Sequence, residues 1–304
     1  MDVRHLDLLR ELRTRGTLAA VAEATFRTPS AVSQQLRTAE REMGVPLVEQ
    51  DGRRLRLTAE GLLLADGADE VGAAMARVRA RLDAVRGAPS GTVRIGTLPS
   101  AGTALLPELV DRLRGSAIDL DLDDFDLAEA DFATRTLDAD VVVAHSLAGD
   151  VPAGAEGIVT RVLAREPIDV AMPPDHPLAA RASLRPADLV DHPWVGVPVG
   201  YPFDTILVAV ERATGRSLDR RLRLRDNALV ESLVGRGVGL ALLPRFTTRD
   251  GTVVLRPLTG VRSRRSIVAL CRPDRYERLA VRTVVDLLEE IGRDRAATGR
   301  ATGD

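Results

Sequence analysis

Apolar positions in the first 86 residues recur at helical steps of three and four. Leu6, Leu9 and Leu12 form a stripe on a first helix that Gly16 closes, and Thr17 is placed to cap the next one. Thr28-Pro29 marks a further helix start, because a threonine hydroxyl accepts from free N–H groups and proline suits a first position whose N–H is not needed. From there Val32, Leu36, Ala39 and Met43 share one face, while Ser30, Ser33, Gln34, Arg37 and Arg41 share the opposite one, which carries donors and no carboxylate. Gly44 ends this helix. Residues 47–49 and 55–57 then flank Asp51-Gly52, a hairpin signal, with Arg53 at the turn and Arg54 and Arg56 facing outward in alternation with core-facing Leu55 and Leu57. A short helix, a tight turn and a second helix presenting Ser, Gln and Arg is the arrangement that sets a recognition helix in a DNA major groove. An ordinary amphipathic helix pair gives the same pattern, and the residues that follow decide between them.

From Thr58 to about Arg86, Leu64, Ala68, Val71, Met75, Val78, Leu82 and Val85 keep four-three spacing, the narrow seam of a coiled coil. A seam of this kind needs a partner, so a dimer is expected, and Gly87-Ala88-Pro89-Ser90-Gly91 ends the helix as a hinge. The remaining two-thirds alternate strand and helix. The strands TVRIGT, IDLDLDD and DVVVAH with helices over 104–114 and 129–137 predict an open α/β sheet with parallel strands. A second unit opens near Pro167 with IDVAM and continues through WVGVP, a helix over 205–214, LRLR, a helix over 228–236 and GLALLP. RSIVALC then returns as a strand, and an amphipathic helix over 278–292 closes the fold. The last residues, RDRAATGRATGD, read as disordered.

Composition narrows the function classes. The chain has 304 residues, enough for two or more domains, and a formal charge of −2, so any contact with nucleic acid must come from a local patch. It contains no lysine, which reads as codon bias towards GC-rich DNA. Cys271 is the only cysteine, which excludes a disulfide within the chain and a cysteine-based zinc cage. The charged N-terminus lacks the apolar core of a signal peptide, and no apolar run reaches the ~20 residues of a membrane span, so a cytoplasmic protein is expected. His5, His145, His176 and His192 have no metal-ligand spacing and read as structural. No nucleophile elbow, Walker loop or H-E-x-x-H motif is present. The run Gly235-Arg236-Gly237-Val238-Gly239 follows a helix and precedes a strand, the reverse of a phosphate cradle, and reads as a turn. Asp123 with Asp124, and Glu289 with Glu290, are adjacent and point apart, so they read as solvated charge. No cofactor, metal or catalytic residue is expected.

The motifs PSAVSQQL, EREMGVPL and GRRLRLTAEG occur in an order and spacing that resemble the N-terminal segment of the LysR-type transcriptional regulators, and length and layout match that family over all but the tail. The resemblance implies a winged helix-turn-helix domain over 1–58, a dimerising linker helix and hinge over 59–90, and a two-lobed periplasmic-binding-protein-like effector domain over 91–297. Lobe I would span about 91–163 and 265–297, lobe II about 164–264, with a disordered tail over 298–304. It implies a homodimer or homotetramer on a pseudo-palindromic double-stranded operator, controlled by a small-molecule effector. Thr28, Ser30, Ser33, Gln34, Arg37, Arg53, Arg54 and Arg56 are the expected DNA contacts, and Val71, Met75, Val78 and Leu82 the expected dimer seam. Several positions depart from the family pattern. Thr25 and Arg27 stand where an apolar residue is common, Ala39 where a leucine is, Val48 where a larger apolar residue is, and Gln50 where an arginine is; Phe26 is expected to restore lost core volume.

In that family the loop Leu98-Pro99-Ser100-Ala101-Gly102-Thr103 contacts the effector, with Ser100, Ala101, Gly102 and Thr103 as the expected contacts. Thr103 is expected to cap the following helix with Pro107 in its first turn, making with Ser100 a site for a small carboxylate. His145, Ser146, Tyr201, Phe203, Arg225 and Asn227 are expected across the cleft by their places at strand ends. The competing reading, from another class, is a cytoplasmic solute-binding or enzymatic α/β protein whose N-terminal helices serve only to dimerise.

Overall fold

A computed structural model describes residues 2–52, 54–86, 88–125, 132–248 and 251–301. Arg53, Gly87 and the first part of the helix expected over 129–137 lie outside them. The chain divides into two compact units, Met1–Pro89 with Arg272–Val281, and Ser90–Cys271 with Arg282–Asp304. Residues 272–281, expected in lobe I, thus cluster with the N-terminal unit.

In the first unit α1 (Val3–Arg15), α2 (Leu18–Ala24) and α3 (Pro29–Met43) precede the hairpin β1 (Val48–Asp51) and β2 (Arg54–Leu57) and the long α4 (Ala59–Arg86). The side chains of Asp2, Thr17 and Thr28 cap the first three helices, accepting from the N–H groups of Arg4, Ala20 and Ala31. Gly16 and Gly44 close α1 and α3 at positive φ, 70° and 72°. Leu9, Leu12, Val21, Val32, Leu36, Ala39, Leu47 and Leu57 form the core, with Ala65 of α4 among them. A Cβ at Gly61 would lie 2.1 Å from the Leu47 carbonyl oxygen, so only glycine lets α4 approach the wing so closely.

Phe26 does not fill this core. It is 97% exposed, in the turn between α2 and α3, with φ 53°. Thr25 and Arg27 are also exposed; the first donates its hydroxyl to the Val21 carbonyl and the second its guanidinium to Gln35. These two sites are turn surface, which explains why polar residues are tolerated there. The short helix α9 (Pro273–Tyr276) belongs to the same unit, where Arg13 binds Asp66 and Asp69 at 2.7 and 2.9 Å and Arg272 binds Asp274 at 2.8 Å.

The second unit is built on one seven-stranded sheet in the order β10-β6-β11-β5-β3-β4, with β9 also paired to β6. β3 (Ser90–Thr97) runs parallel to β4 (Ala117–Asp124) and β5 (Val141–Ser146), separated in sequence by α5 (Pro99–Arg112) and α6 (Phe132–Arg135). The expected parallel sheet ends at β5. β11 (Arg264–Cys271) is antiparallel to both β5 and β6, and β9 (Ala241–Pro244) and β10 (Val254–Arg256) are antiparallel to β6. The strand expected to open near Pro167 is the second half of β6 (Val159–Met172), which begins eight residues earlier. Its first half pairs with β11 and its second half with β9 and β10, so one strand runs through both halves of the unit.

β7 (Pro193–Gly196) and β8 (Asp219–Arg223) form a separate parallel pair, joined by α7 (Pro202–Thr214). α8 (Asn227–Val234) follows, and Ile168, Leu184, Trp194, Leu207, Val210 and Leu240 make up the centre of this half's core. α10 (Leu279–Ala301) continues through residues 298–301, which were expected to be disordered. The paired glutamates on α10 are not merely solvated: Glu289 holds Arg161 at 2.7 Å and Glu290 holds Arg112 at 3.1 Å.

Candidate DNA face and effector pocket

The polar face of α3 is partly organised by its own hydrogen bonds. Thr28 and Ser30 hydroxyls lie 3.0 Å apart, and Arg37 donates to Ser33 Oγ at 2.8 Å. Gln34 is exposed beside them. On the wing Arg54 is exposed, while Arg56 is held by Glu49 across the hairpin at 2.6 Å, which takes up part of its charge. Gln50, in the place of the family's usual arginine, donates to the Gly52 carbonyl.

On α4 the four-three row divides by burial. Leu64 is half-buried against the winged core and Ala68 is buried, whereas Met75, Val78, Leu82 and Val85 are exposed at 53%, 62%, 50% and 85%. Val71 is half-buried. The C-terminal half of the row is thus exposed among the described residues.

In the second unit a cavity of about 430 Å³ is lined by the first residues of α5, α7 and α8. Pro99 and Ser100 come from α5, Tyr201, Pro202 and Phe203 from the start of α7, and Asp226, Asn227 and Ala228 from the start of α8. Helix N-termini expose backbone donors and the positive end of the dipole. Asp226 caps α8 by accepting from Leu229, but α5 and α7 begin at Leu98 and Tyr201 with no side-chain cap. Proline at the first position removes one unsatisfied donor from each and leaves the next.

Arg265 supplies the cationic floor. It is 1% exposed, sits opposite Glu166 in the β11–β6 register, and its Nε donates to Glu166 Oε2 at 2.7 Å. Nη2 lies 2.6 Å from the same oxygen but off the line of a hydrogen bond, so that contact is ionic. Nη1 donates to Ser100 Oγ at 2.9 Å, tying the start of α5 to β11. Glu166 also accepts from the Phe246 N–H at 2.6 Å; burial pushes its carboxyl up, opposed chiefly by Arg265.

Aromatic contacts build one wall. The Arg225 guanidinium lies 4.7 Å from the Tyr201 ring centre, and His145 meets Phe203 edge-on at 6.4 Å and Phe132 at 5.5 Å. Burial, with Arg265 nearby, pushes the His145 imidazole down to about 3, so it is neutral at pH 7. Its Nδ1 is buried with no hydrogen-bond partner among the described residues.

Of the ten residues expected around an effector, Ser100, Thr103, His145, Tyr201, Phe203, Arg225 and Asn227 line this one cavity. Ala101, Gly102 and Ser146 do not. Ala101 and Gly102 are buried inside α5, where a Cβ on Gly102 would meet Thr97 Cγ2 at 2.8 Å, and Ser146 is fully buried and accepts from Gly149. Thr103 is not a cap: α5 starts four residues earlier and the Thr103 hydroxyl donates back to the Pro99 carbonyl at 2.9 Å. Pro107 accordingly lies inside the helix. Arg265, Thr247 and Thr248 also line the cavity and went unnoticed in the sequence, although an arginine opening the apolar run of RSIVALC was a signal available for the first. Among the described residues no group of three or more side chains is arranged to hold a metal ion.

A capped helix-turn-helix with a wing, followed by a two-part α/β domain with a ligand-sized cavity, defines a DNA-binding regulator with a small-molecule sensor. The model of the bacterial regulatory helix-turn-helix protein, lysR family, matches residues 3–62, and that of the LysR substrate binding domain matches residues 86–293. The chain belongs to the LysR family of transcriptional regulators. It is similar to the transcriptional dual regulator GltC of Bacillus subtilis (strain 168), 26% identical over 83% of each chain. The DNA-binding transcriptional dual regulator OxyR of Escherichia coli (strain K12) is 27% identical over 92% of this chain and 94% of that one. Among solved structures, a full-length OxyR variant from Pseudomonas aeruginosa shares the fold with a TM-score of 0.62, 20% identity and coverage of 96% and 97%. Full-length CbnR complexed with its target DNA does so with a TM-score of 0.52, 18% identity and coverage of 97% and 100%. These relatives are regulators rather than enzymes, which leaves the enzymatic α/β reading without support. No helix among the described residues is long and apolar enough to cross a membrane.

The buried histidine has a consequence for acid stability. Above about pH 6.5 His145 is neutral folded or unfolded; as the pH falls below its ordinary 6.5 the unfolded chain binds a proton that the folded chain refuses until about 3. Folding should therefore lose up to about 1.4 kcal/mol per pH unit between these values from this group. His145→Gln should remove that contribution, so denaturant titrations at pH 7, 6 and 5 should show a shallower decline than wild type. Parallel declines would show that His145 titrates normally in the fold.

Proposed function

We propose that this LysR-type regulator is controlled by a small carboxylate-bearing metabolite held in the 430 Å³ cavity. The observation that carries this reading is the convergence of two uncapped helix N-termini with Arg265 and Ser100 on one cavity. Backbone N–H groups and helix dipoles favour anions, and Tyr201 and Phe203 offer an apolar wall to the rest of the molecule. Several relatives are called hydrogen peroxide-inducible genes activators. A thiol sensor needs an accessible thiolate, whereas Cys271 is buried and burial pushes its thiol up to about 12. A bound effector is the reading that this chain's residues support.

At the other end of the chain, Gln34 and Arg37 read base edges, with Thr28, Ser30 and Ser33 beside them, while Arg53, Arg54 and Arg56 hold phosphates. Two copies pair through Val71, Met75, Val78 and Leu82, which places two winged domains on the two halves of an operator. The exposed half of the α4 row supports this pairing.

Three measurements test these assignments. Thermal-shift screening of organic and amino acids should return carboxylates, with stabilisation of about 2.7 kcal/mol at a hundredfold excess over Kd, and Ser100→Ala should weaken the response. Uncharged or cationic hits, or unchanged binding by Ser100→Ala, would refute the anion site. Gln34→Ala should cost about 1–3 kcal/mol at one base position and leave random DNA binding unchanged; equal losses on both would remove its reading role. Leu82→Arg should yield monomers with folded lobes, because a charge in the seam has no partner. Light scattering that still reports a dimer would place the interface elsewhere.

A further inference from the structure

The turn between α2 and α3 holds a residue that neither the fold nor the core calls for. Phe26 is the one non-glycine residue with positive φ among the described residues, and its ring is 97% exposed. Its backbone is pinned on both sides: its N–H donates to the Glu23 carbonyl at 3.2 Å, and the Arg27 N–H donates to the Ala22 carbonyl at 2.8 Å. That closure of α2 is a left-handed position, where glycine or asparagine fits and a bulky side chain is disfavoured. Exposing a phenyl ring to water adds a second disadvantage. Both would be removed by a small polar residue, so the ring's use lies in a complex.

We infer that Phe26 is a DNA contact that reads the methyl group of a thymine next to the bases met by the start of α3. The turn lies immediately before Thr28 and Ser30, and residues 25–30 form one exposed run leading into the recognition helix, whose N-terminal residues approach base edges first. The surface is continuous with the DNA-binding face and complementary in charge to DNA, since residues 25–39 contain two arginines and no carboxylate. Thymine's methyl is the apolar feature of the major groove, and an apolar side chain is what recognises it. The inference rests on the winged domain's binding of DNA and adds a residue for which the helix pattern gave no hint.

The probe is the duplex that the wild-type full-length chain selects from a random-sequence library. Phe26→Asn suits the left-handed backbone and should melt at or above the wild-type temperature. It should bind random duplex within twofold of wild type and bind the selected duplex about tenfold more weakly. Replacing thymines by uracil one at a time should reproduce that loss at one position for wild type, with no further loss for Phe26→Asn at that position. Undiminished binding of the selected duplex by Phe26→Asn would overturn the inference, as would a loss that no uracil reproduces or a loss accompanied by a lower melting temperature. A wild-type chain that selects no sequence would remove the DNA reading itself, and this inference with it.

Discussion

Glu166 and Arg265 face each other across β6 and β11 with 0% and 1% of their surfaces exposed, and the geometry of the candidate cavity depends on how each is satisfied. A buried ion pair adds little net stability over an apolar pair, because desolvation offsets the attraction, but removing one partner costs about 3–5 kcal/mol by leaving a charge uncompensated. The pair is therefore better understood by what it positions. Glu166 uses its second oxygen on the Phe246 N–H, fixing the end of β9, and Arg265 uses Nη1 on Ser100, fixing the start of α5. β11 lies between β5 and β6, and β6 spans the two halves of the sheet. Ser100 at the cavity is thus held by an arginine that is itself held by Glu166.

How much of this could be read from the chain depends on the range of the forces involved. In the first unit the helix ends were legible because caps are local: Thr17, Thr28, Gly16 and Gly44 act within a few residues of where they stand. The early half of β6 was not legible, since Pro167 looks like a boundary. In the structure Pro167 needs no N–H partner of its own: its carbonyl accepts from Arg245 while the strand continues. The antiparallel return of β11 was equally hidden, because strand direction is decided by the route of the chain and not by the apolar run itself. Thr103 misled for a related reason. A hydroxyl near a helix start can cap it or bond back to the carbonyl four residues earlier, and only the true start, at Pro99, decides which.

Seven of the ten positions expected around the effector share a cavity, and the three that do not fail for packing reasons visible only in three dimensions. Gly102 is small because α5 presses on Thr97 of β3, and Ala101 beside it is fully buried, so their smallness speaks of packing and not of room for a ligand. Arg265 was missed because a charged residue at the edge of an apolar strand ordinarily points to water. Its burial depends on a partner ninety-nine positions away in sequence.

At the cavity, caps separate the helix that the chain completes, α8, from the two that it leaves open, α5 and α7. α1, α2, α3 and α8 each receive a side-chain acceptor at the first turn, and in α3 this closes the backbone donors with Thr28 while exposing side chains for use. α5 and α7 receive none, although a serine, threonine or aspartate at Leu98 or Tyr201 would contribute about 1 kcal/mol. Both open onto the cavity, and a cap there would occupy the donors and reduce the positive field at its wall. Local stability and anion affinity therefore make opposite demands on the same backbone groups. The helix that keeps its cap at the cavity, α8, brings a carboxylate with it in Asp226, and the side that it lines is where Arg225 stacks on Tyr201. In the binding mode proposed above, the open N-terminus of α5 and Ser100 face the carboxylate, and the aromatic wall faces the remainder of the molecule.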